Sequence, residues 1–420
     1  YKTGFDLRHG GERYPGRWVP LLGAHQLYSV LSALAIGISY DISLAEGLAA
    51  LTVLDPLPGR MCPFEGANGS LVIDDTVSAN PEGMIASLDW LDQVRDARGR
   101  VIAVLGDLDG LGGHTSFAHV QVGERAAEVL DLLVTQGELA AETGRAALEA
   151  GMTRTQVAIT FSAEDAARVT RAALGPDDIV LVKGGASSRM ERIVHQLLAD
   201  PADSIKLARQ TGLHDTVVVD RPQHPTWVQI DLQAIAYNTR RMKGIVGDDV
   251  GLMAVVKGNA YGHGAVAAST TALNNGASYL EVASLTDALD LRYGGITAPI
   301  LISGYVPPWS AQEVLRHNLT ISLNDLEQAR AFERAGTDLG MPIRAHVKVD
   351  TGLGMLGLLP DDVTVFFRSL RNMKYLNLEG IYTEFSAAHM DPEHTQRQLQ
   401  RFNAVVEPLI ASGYNFEFIH

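Results

Sequence analysis

Short apolar runs alternating with amphipathic helices occur in two series along this chain, and that alternation constrains its fold more than any other feature. Strands buried on both faces read as continuous Val/Ile/Leu runs, and a helix between neighbours returns the chain so that the strands lie parallel. In the first series the strands are "SLVIDD", "RVIAVLGD", "LLVTQG", "VAITF" and "DIVLVKGG". Between and after them lie helical tracts such as "PEGMIASLDWLDQV", opened by Pro81 and Glu82, and "SAEDAARVTRAAL". This predicts a parallel sheet covered on both faces, closing near residue 200. Ahead of it, residues 1–22 read as polar and strand-like, and Leu27 to about Leu51 as an alanine-rich helical stretch.

Residues 201–225 lose the rhythm and hold three prolines, so they are expected to form a linker with a short strand. The second series then runs through "LMAVVK", "YLEVAS", "APILIS", "LTISLN", "RAHVKVD", "LEGIYTEF" and "FEFIH". Seven strands at this spacing fit a (β/α) barrel lacking its last unit, since a full barrel takes about 250 residues. An open doubly wound sheet is the alternative.

A length of 420 residues exceeds one ordinary core, which agrees with two domains or more. The formal charge of −15 argues against a nucleic-acid or anionic-membrane surface. No apolar run reaches the roughly 18 residues that span a bilayer. A single cysteine, Cys62, excludes an internal disulfide and suits a reducing, cytoplasmic setting. The chain opens without an initiator Met and stops within an apparent strand, so it is expected to be a fragment.

The stretch "MAVVKGNAYGHG" (253–264) ends an apolar strand on Lys257. At the carboxyl end of a barrel strand, a desolvated amine can condense with a carbonyl, whereas a lone lysine at a strand end is more often simply solvated. A lysine tether is what pyridoxal phosphate requires. "AVVKGNAYGHG" resembles the pyridoxal-lysine motif of alanine racemases. "TWVQIDLQAIAYNTRRM", "HVKVDTGLGMLG" and "LEGIYTEF" are similar to other segments of that family, in family order. The resemblance implies that Lys257 carries the cofactor and acts as one of two bases, and that Tyr261 sits near the cofactor phosphate. It also implies a homodimer, in which the partner lends the second base. Three positions depart from the family: Met355 where arginine is usual, Glu384 where "YTHF" has histidine, and Glu281 where a small residue is common. The G-x-G-x-x-G in "GLGMLG" (352–357) is better read as the racemase loop than as a dinucleotide site, because no acidic residue ends a strand about 20 residues on.

"LPGRM", "LVIDDTVSANPEGM", "VIAVLGDLDGLG" and "IVLVKGGASSRMERIV" resemble the C-terminal domain of the Mur ligases, nearest the member joining D-alanyl-D-alanine (D-Ala-D-Ala) to UDP-N-acetylmuramoyl-tripeptide. Asp75 could accept from a nucleotide ribose, Asn80 could orient a phosphate at a helix start, and Lys183 offers a cation. Individually they could as well be a turn, a helix cap and a solvated lysine. Val77 replaces a usual tyrosine, and Gly185 a frequent serine. His25 and Gln26 match the "HN" that leads into the domain. No G-x-x-x-x-G-K-[ST] occurs, so an ATP-phosphate cradle is absent. His114 and His119 lack metal-site spacing, and no metal ligands are expected.

The expectation is therefore an α/β chain: a Rossmann-like Mur ligase C-terminal domain followed by an incomplete (β/α)8 TIM-type barrel. The divisions are 1–26 (end of a central domain), 27–200, a linker 201–225, and 226–420. The implied chemistry is racemisation of alanine with pyridoxal 5′-phosphate, beside ATP- and Mg2+-dependent amide formation. Small molecules are the partners: alanine, D-Ala-D-Ala and a UDP-MurNAc-peptide. The alternative is a non-racemising pyridoxal-binding barrel appended to a working ligase.

Overall fold

The computed structural model describes residues 2–95, 99–108, 110–209 and 228–420. The chain divides into two compact units, Tyr1–Gln233 and Ala234–His420.

The first unit opens with an antiparallel hairpin of β1 (Thr3–His9) and β2 (Glu12–Val19). The helical stretch expected over residues 27–51 is two helices, Leu27–Ser39 and Leu44–Leu51. They part because Ser43 and Glu46 form a capping box, in which each side chain bonds the other's backbone N–H. These elements share a small core around Val19, Val30, Leu34 and Leu48.

Next comes a six-stranded sheet of β3 (Cys62–Glu65), β4 (Leu71–Asp75), β5 (Val101–Gly106), β6 (Leu132–Gln136), β7 (Val157–Thr160) and β8 (Ile179–Lys183). The spatial order is β3-β4-β8-β5-β6-β7, and only the β3–β4 pair is antiparallel. Separate apolar clusters cover the two faces, so alternate residues of each strand enter different cores. This is the doubly wound, Rossmann-like arrangement expected. β3 was not legible, because Pro63 lies within it and Pro in a strand is confined to edges. Residues 201–209 differ from a linker. Pro201–Lys206 is a 3-10 helix, Leu207 is buried in the core, and Arg209 binds Glu191 and the Thr76 and Val77 carbonyls. The rest of the expected linker, with its short strand, lies outside the described residues.

The second unit is a seven-stranded, all-parallel sheet in sequential order: β9 (Met253–Val255), β10 (Tyr279–Val282), β11 (Ile300–Ile302), β12 (Thr320–Leu323), β13 (Ile343–Lys348), β14 (Leu376–Tyr382) and β15 (Phe418–Ile419). It is strongly curled. β10 and β15 are five strands apart, which in a flat sheet would be about 24 Å. Yet the rings of Tyr279 and Phe418 meet edge to face with centroids 5.4 Å apart. The outer face packs on the helices through a large apolar cluster, whereas the inner face carries aromatic and polar side chains. This is an incomplete barrel with β9 and β15 as its edges.

Candidate functional site

In the first unit, the carboxyl ends of β4 and β8 lie side by side in register, which sets Asp75 opposite Lys183. Lys183 Nζ donates to Asp75 Oδ2 at 2.7 Å and to the Ser78 carbonyl at 3.1 Å. The Ser87 hydroxyl, from the helix Pro81–Val94, donates to the same carboxylate oxygen at 3.0 Å. The structure thus brings Asp75 and Lys183 together as a buried pair, so Lys183 is not simply solvated. Asn80 makes no hydrogen bond to that pair among the described residues. Its Oδ1 accepts from Gly83 N at 2.7 Å and caps the helix, with Pro81 in the first turn. Burial pushes the His25 imidazole below its ordinary value, with opposing influences from Asp75 and Lys183.

Beside the pair, on the opposite sheet face, Asp74 is fully buried. Burial pushes its carboxyl up to about 6, against hydrogen bonds from Thr76. His119 is a satisfied core residue, buried with Nδ1 2.8 Å from Thr143 Oγ1.

In the second unit, Lys257 follows the carboxyl end of β9, where Val255 pairs with Glu281 of β10. The backbone then turns left-handed over Gly258, Asn259, Ala260, Tyr261 and Gly262. Left-handed geometry is unfavourable for residues with a Cβ, so three consecutive ones store strain at the lysine. The turn is held by Asn259 Oδ1, which accepts from Ala265 N at 2.7 Å, and by a 2.7 Å contact of His263 Nδ1 with the Ala260 carbonyl. Among the described residues, neither the half-buried Lys257 amine nor the largely exposed Tyr261 hydroxyl makes a hydrogen bond or ion pair.

Strand alternation aims Tyr279, Thr320, Ser322, His346, Lys348 and Tyr382 into the barrel. Tyr279 Oη meets Thr320 Oγ1 at 2.9 Å, and Tyr382 Oη meets Ser322 Oγ at 2.9 Å. His346 Nδ1 and His420 Nε2 are 2.9 Å apart, and the His420 ring stacks flat on Tyr382. Above them, buried Lys348 donates to Glu384 Oε2 at 3.0 Å. Glu384 therefore stands as the counter-charge of Lys348. Met355 is 61% exposed, in a loop organised by Asp350, whose carboxylate accepts from the backbone of Gly352, Leu353 and Gly354. The glycines of "GLGMLG" serve that turn: a Cβ on Gly357 would lie 3.1 Å from the Lys348 side chain. Lys348 and the two histidines were missed from sequence. For His346 and Lys348 the signal is a polar residue at every second position of "RAHVK", in a strand otherwise buried on both faces.

A curled parallel barrel with a partner-free lysine just past its first strand defines a class of barrel that can hold a carbonyl cofactor at its carboxyl-end mouth. The comparisons narrow it. Residues 230–420 match the family model of the alanine racemase N-terminal domain, and residues 59–186 match that of the Mur ligase, glutamate ligase domain. The chain thus joins a Mur ligase domain to an alanine racemase N-terminal domain. An alanine racemase of Symbiobacterium thermophilum is 43% identical over 190 residues, 45% of this chain and 50% of that protein. One from Methanococcus maripaludis is 38% identical over 199 residues, 47% of this chain and 53% of that protein. A solved alanine racemase of Clostridium difficile 630 has 29% identity and a TM-score of 0.46, covering 48% of this chain and 56% of its own. The chain spans about half the length of the curated relatives it matches. No helix among the described residues is long and apolar enough to cross a membrane.

Proposed function

We propose that the second unit interconverts L- and D-alanine with pyridoxal 5′-phosphate held on Lys257. The observation that carries this reading is the partner-free Lys257 amine just past β9, inside the segment matched to alanine racemases. The residues present suit the cofactor: an unpaired amine for its aldehyde and an unpaired Tyr261 hydroxyl for its phosphate. When bound, pyridoxal phosphate supplies an electron sink for the charge left at Cα as its proton departs. Lys257 tethers the aldehyde and, as an amine, takes or returns the Cα proton on one face. Tyr279, Tyr382 and His346 fill the barrel below the mouth and keep water from the buried side.

The first unit serves the ATP- and Mg2+-dependent joining of D-Ala-D-Ala to a UDP-MurNAc-tripeptide, supported by its match to the Mur ligase domain. Asp75, steadied by Lys183, presents a carboxylate for a nucleotide ribose, and Asn80 orients the helix start beside it. Racemase product would feed the dipeptide that this ligase consumes. A homodimer through the racemase part, in the cytoplasm, completes the proposal.

A second reading keeps the cofactor without the reaction. It is favoured by Met355, whose thioether cannot replace a guanidinium near a carboxylate, and by Glu384, which is committed to Lys348. Racemisation of L-alanine by the full-length protein, compared with its Lys257→Ala variant, decides between them. Turnover lost in the variant supports the racemase. Absence of turnover with cofactor retained on Lys257 supports the second reading.

A further inference from the structure

Lys348 is a buried cation with more donors than partners. It is 4% exposed, and its hydrogen bond among the described residues is the 3.0 Å contact with Glu384 Oε2. An ammonium carries three donors, so two of those on Lys348 have no acceptor there. The Tyr382 ring lies 5.9 Å from Nζ, close to the outer limit of about 6 Å for a cation–π contact. Buried donors left unfilled are costly, and such groups in a native fold call for a partner. The place of Lys348 in the barrel says which partner. Tyr279 of β10 and His346 of β13 meet across the interior, with ring centroids 5.9 Å apart. Glu281 and Lys348 are each two residues further along those strands, so alternation carries both inward at the next layer toward the mouth. Glu281 shares that layer without forming an ion pair with Lys348. Val255 of β9 pairs in register with Glu281, and Lys257 follows two residues beyond Val255. The Lys348 layer is thus the floor of the mouth whose rim bears Lys257.

We infer that the Lys348 ammonium binds the ionised ring hydroxyl of pyridoxal phosphate, the oxygen next to the aldehyde that Lys257 holds. The inference rests on the reading of Lys257 as the cofactor lysine and adds a second cofactor-binding residue. As an anion that oxygen offers lone pairs and no donor, which complements an ammonium with unfilled N–H groups. Glu384, 51% exposed, fills one N–H group from the solvent side and leaves the others for the cofactor. Lys348 orients the ring and holds charge on its oxygen, and Lys257 keeps its role with alanine as substrate.

Binding of pyridoxal phosphate and of its 3-deoxy analogue, which lacks that hydroxyl, to the full-length protein and its Lys348→Met variant closes a double-mutant cycle. Lys348→Met weakens pyridoxal phosphate at least about tenfold, as loss of a charge-assisted hydrogen bond does, and the 3-deoxy analogue by less than about twofold. Lys348→Gln, which can still donate to Glu384, guards against a folding defect and shows the same selective loss at about fivefold. In both variants the absorbance of the bound cofactor moves toward the form with a protonated hydroxyl, because the cation favouring the anion is gone. Equal losses for the two cofactor forms, or undiminished affinity for pyridoxal phosphate, overturn the inference. Borohydride fixation on Lys257 of the unsubstituted protein separates the two readings. If neither form is fixed there, the cofactor reading falls and this inference with it. If both are fixed and the losses are equal, this inference alone falls.

Discussion

Lys183 and Asp75 face each other across adjacent parallel strands at 2.7 Å, with side chains only 7% and 11% exposed. At that burial the pair is worth little against a well-packed apolar replacement, but losing one partner strands a charge. Lys183→Met is therefore expected to destabilise the first unit by about 3–5 kcal/mol. The double variant Lys183→Met/Asp75→Leu recovers most of the loss. Urea unfolding followed at Trp90, which is buried in that core, reads both.

Acid should loosen the barrel from its interior. Burial holds His346 near 3, helped by His420 and Arg344, and burial holds His420 near 4. Both lie below the unfolded value of about 6.5, so the unfolded chain takes up protons first as pH falls. Stability is complete above about pH 6.5 and declines toward pH 4, by up to about 1.4 kcal/mol per proton per pH unit. Asp74 in the first unit acts in the opposite sense: with its carboxyl raised to about 6, its cost appears as pH rises from about 4. Hydrogen exchange in β13 and β14 isolates the barrel, and His346→Leu should flatten its acid slope.

The turn after Lys257 depends on Asn259. Its left-handed backbone suits asparagine better than most residues, and its Oδ1 caps Ala265. Asn259→Ala should cost about 1–2 kcal/mol by losing both advantages, and Asn259→Gly less, because glycine keeps the backbone freedom. Equal losses in thermal unfolding would show that the cap alone matters.

Gly380 makes room for the His346 ring: an added Cβ would meet it at 2.8 Å. Gly380→Ala should destabilise by about 1–3 kcal/mol through overpacking and disturb the His346–His420 contact. A further drop in the His346 imidazole pKa by NMR titration is not expected, since that ring is already fully buried.

The two strand series were readable because a parallel strand covered on both faces leaves an unbroken apolar run, as in "IVLVK" and "VIAVLG". The edge strand β3 escaped, being four residues long with a proline inside. The break between the first two helices escaped because Ser43 and Glu46 were read for periodicity and not as a capping box. At the sites, Lys257, Asp75 and Lys183 announced themselves as charges at the ends of apolar strands. What local sequence could not carry was pairing: that Lys183 meets Asp75 over 108 positions, or Lys348 meets Glu384 over 36. Those meetings are set by strand order and register.

We propose that Lys257, whose half-buried amine has no partner among the described residues, binds a carbonyl cofactor covalently. Incubation with pyridoxal phosphate, borohydride reduction and peptide mass spectrometry test it most directly. Stoichiometric pyridoxyl label is expected on the peptide bearing Lys257, abolished by Lys257→Arg. Label scattered over surface lysines, or undiminished in that variant, would contradict it.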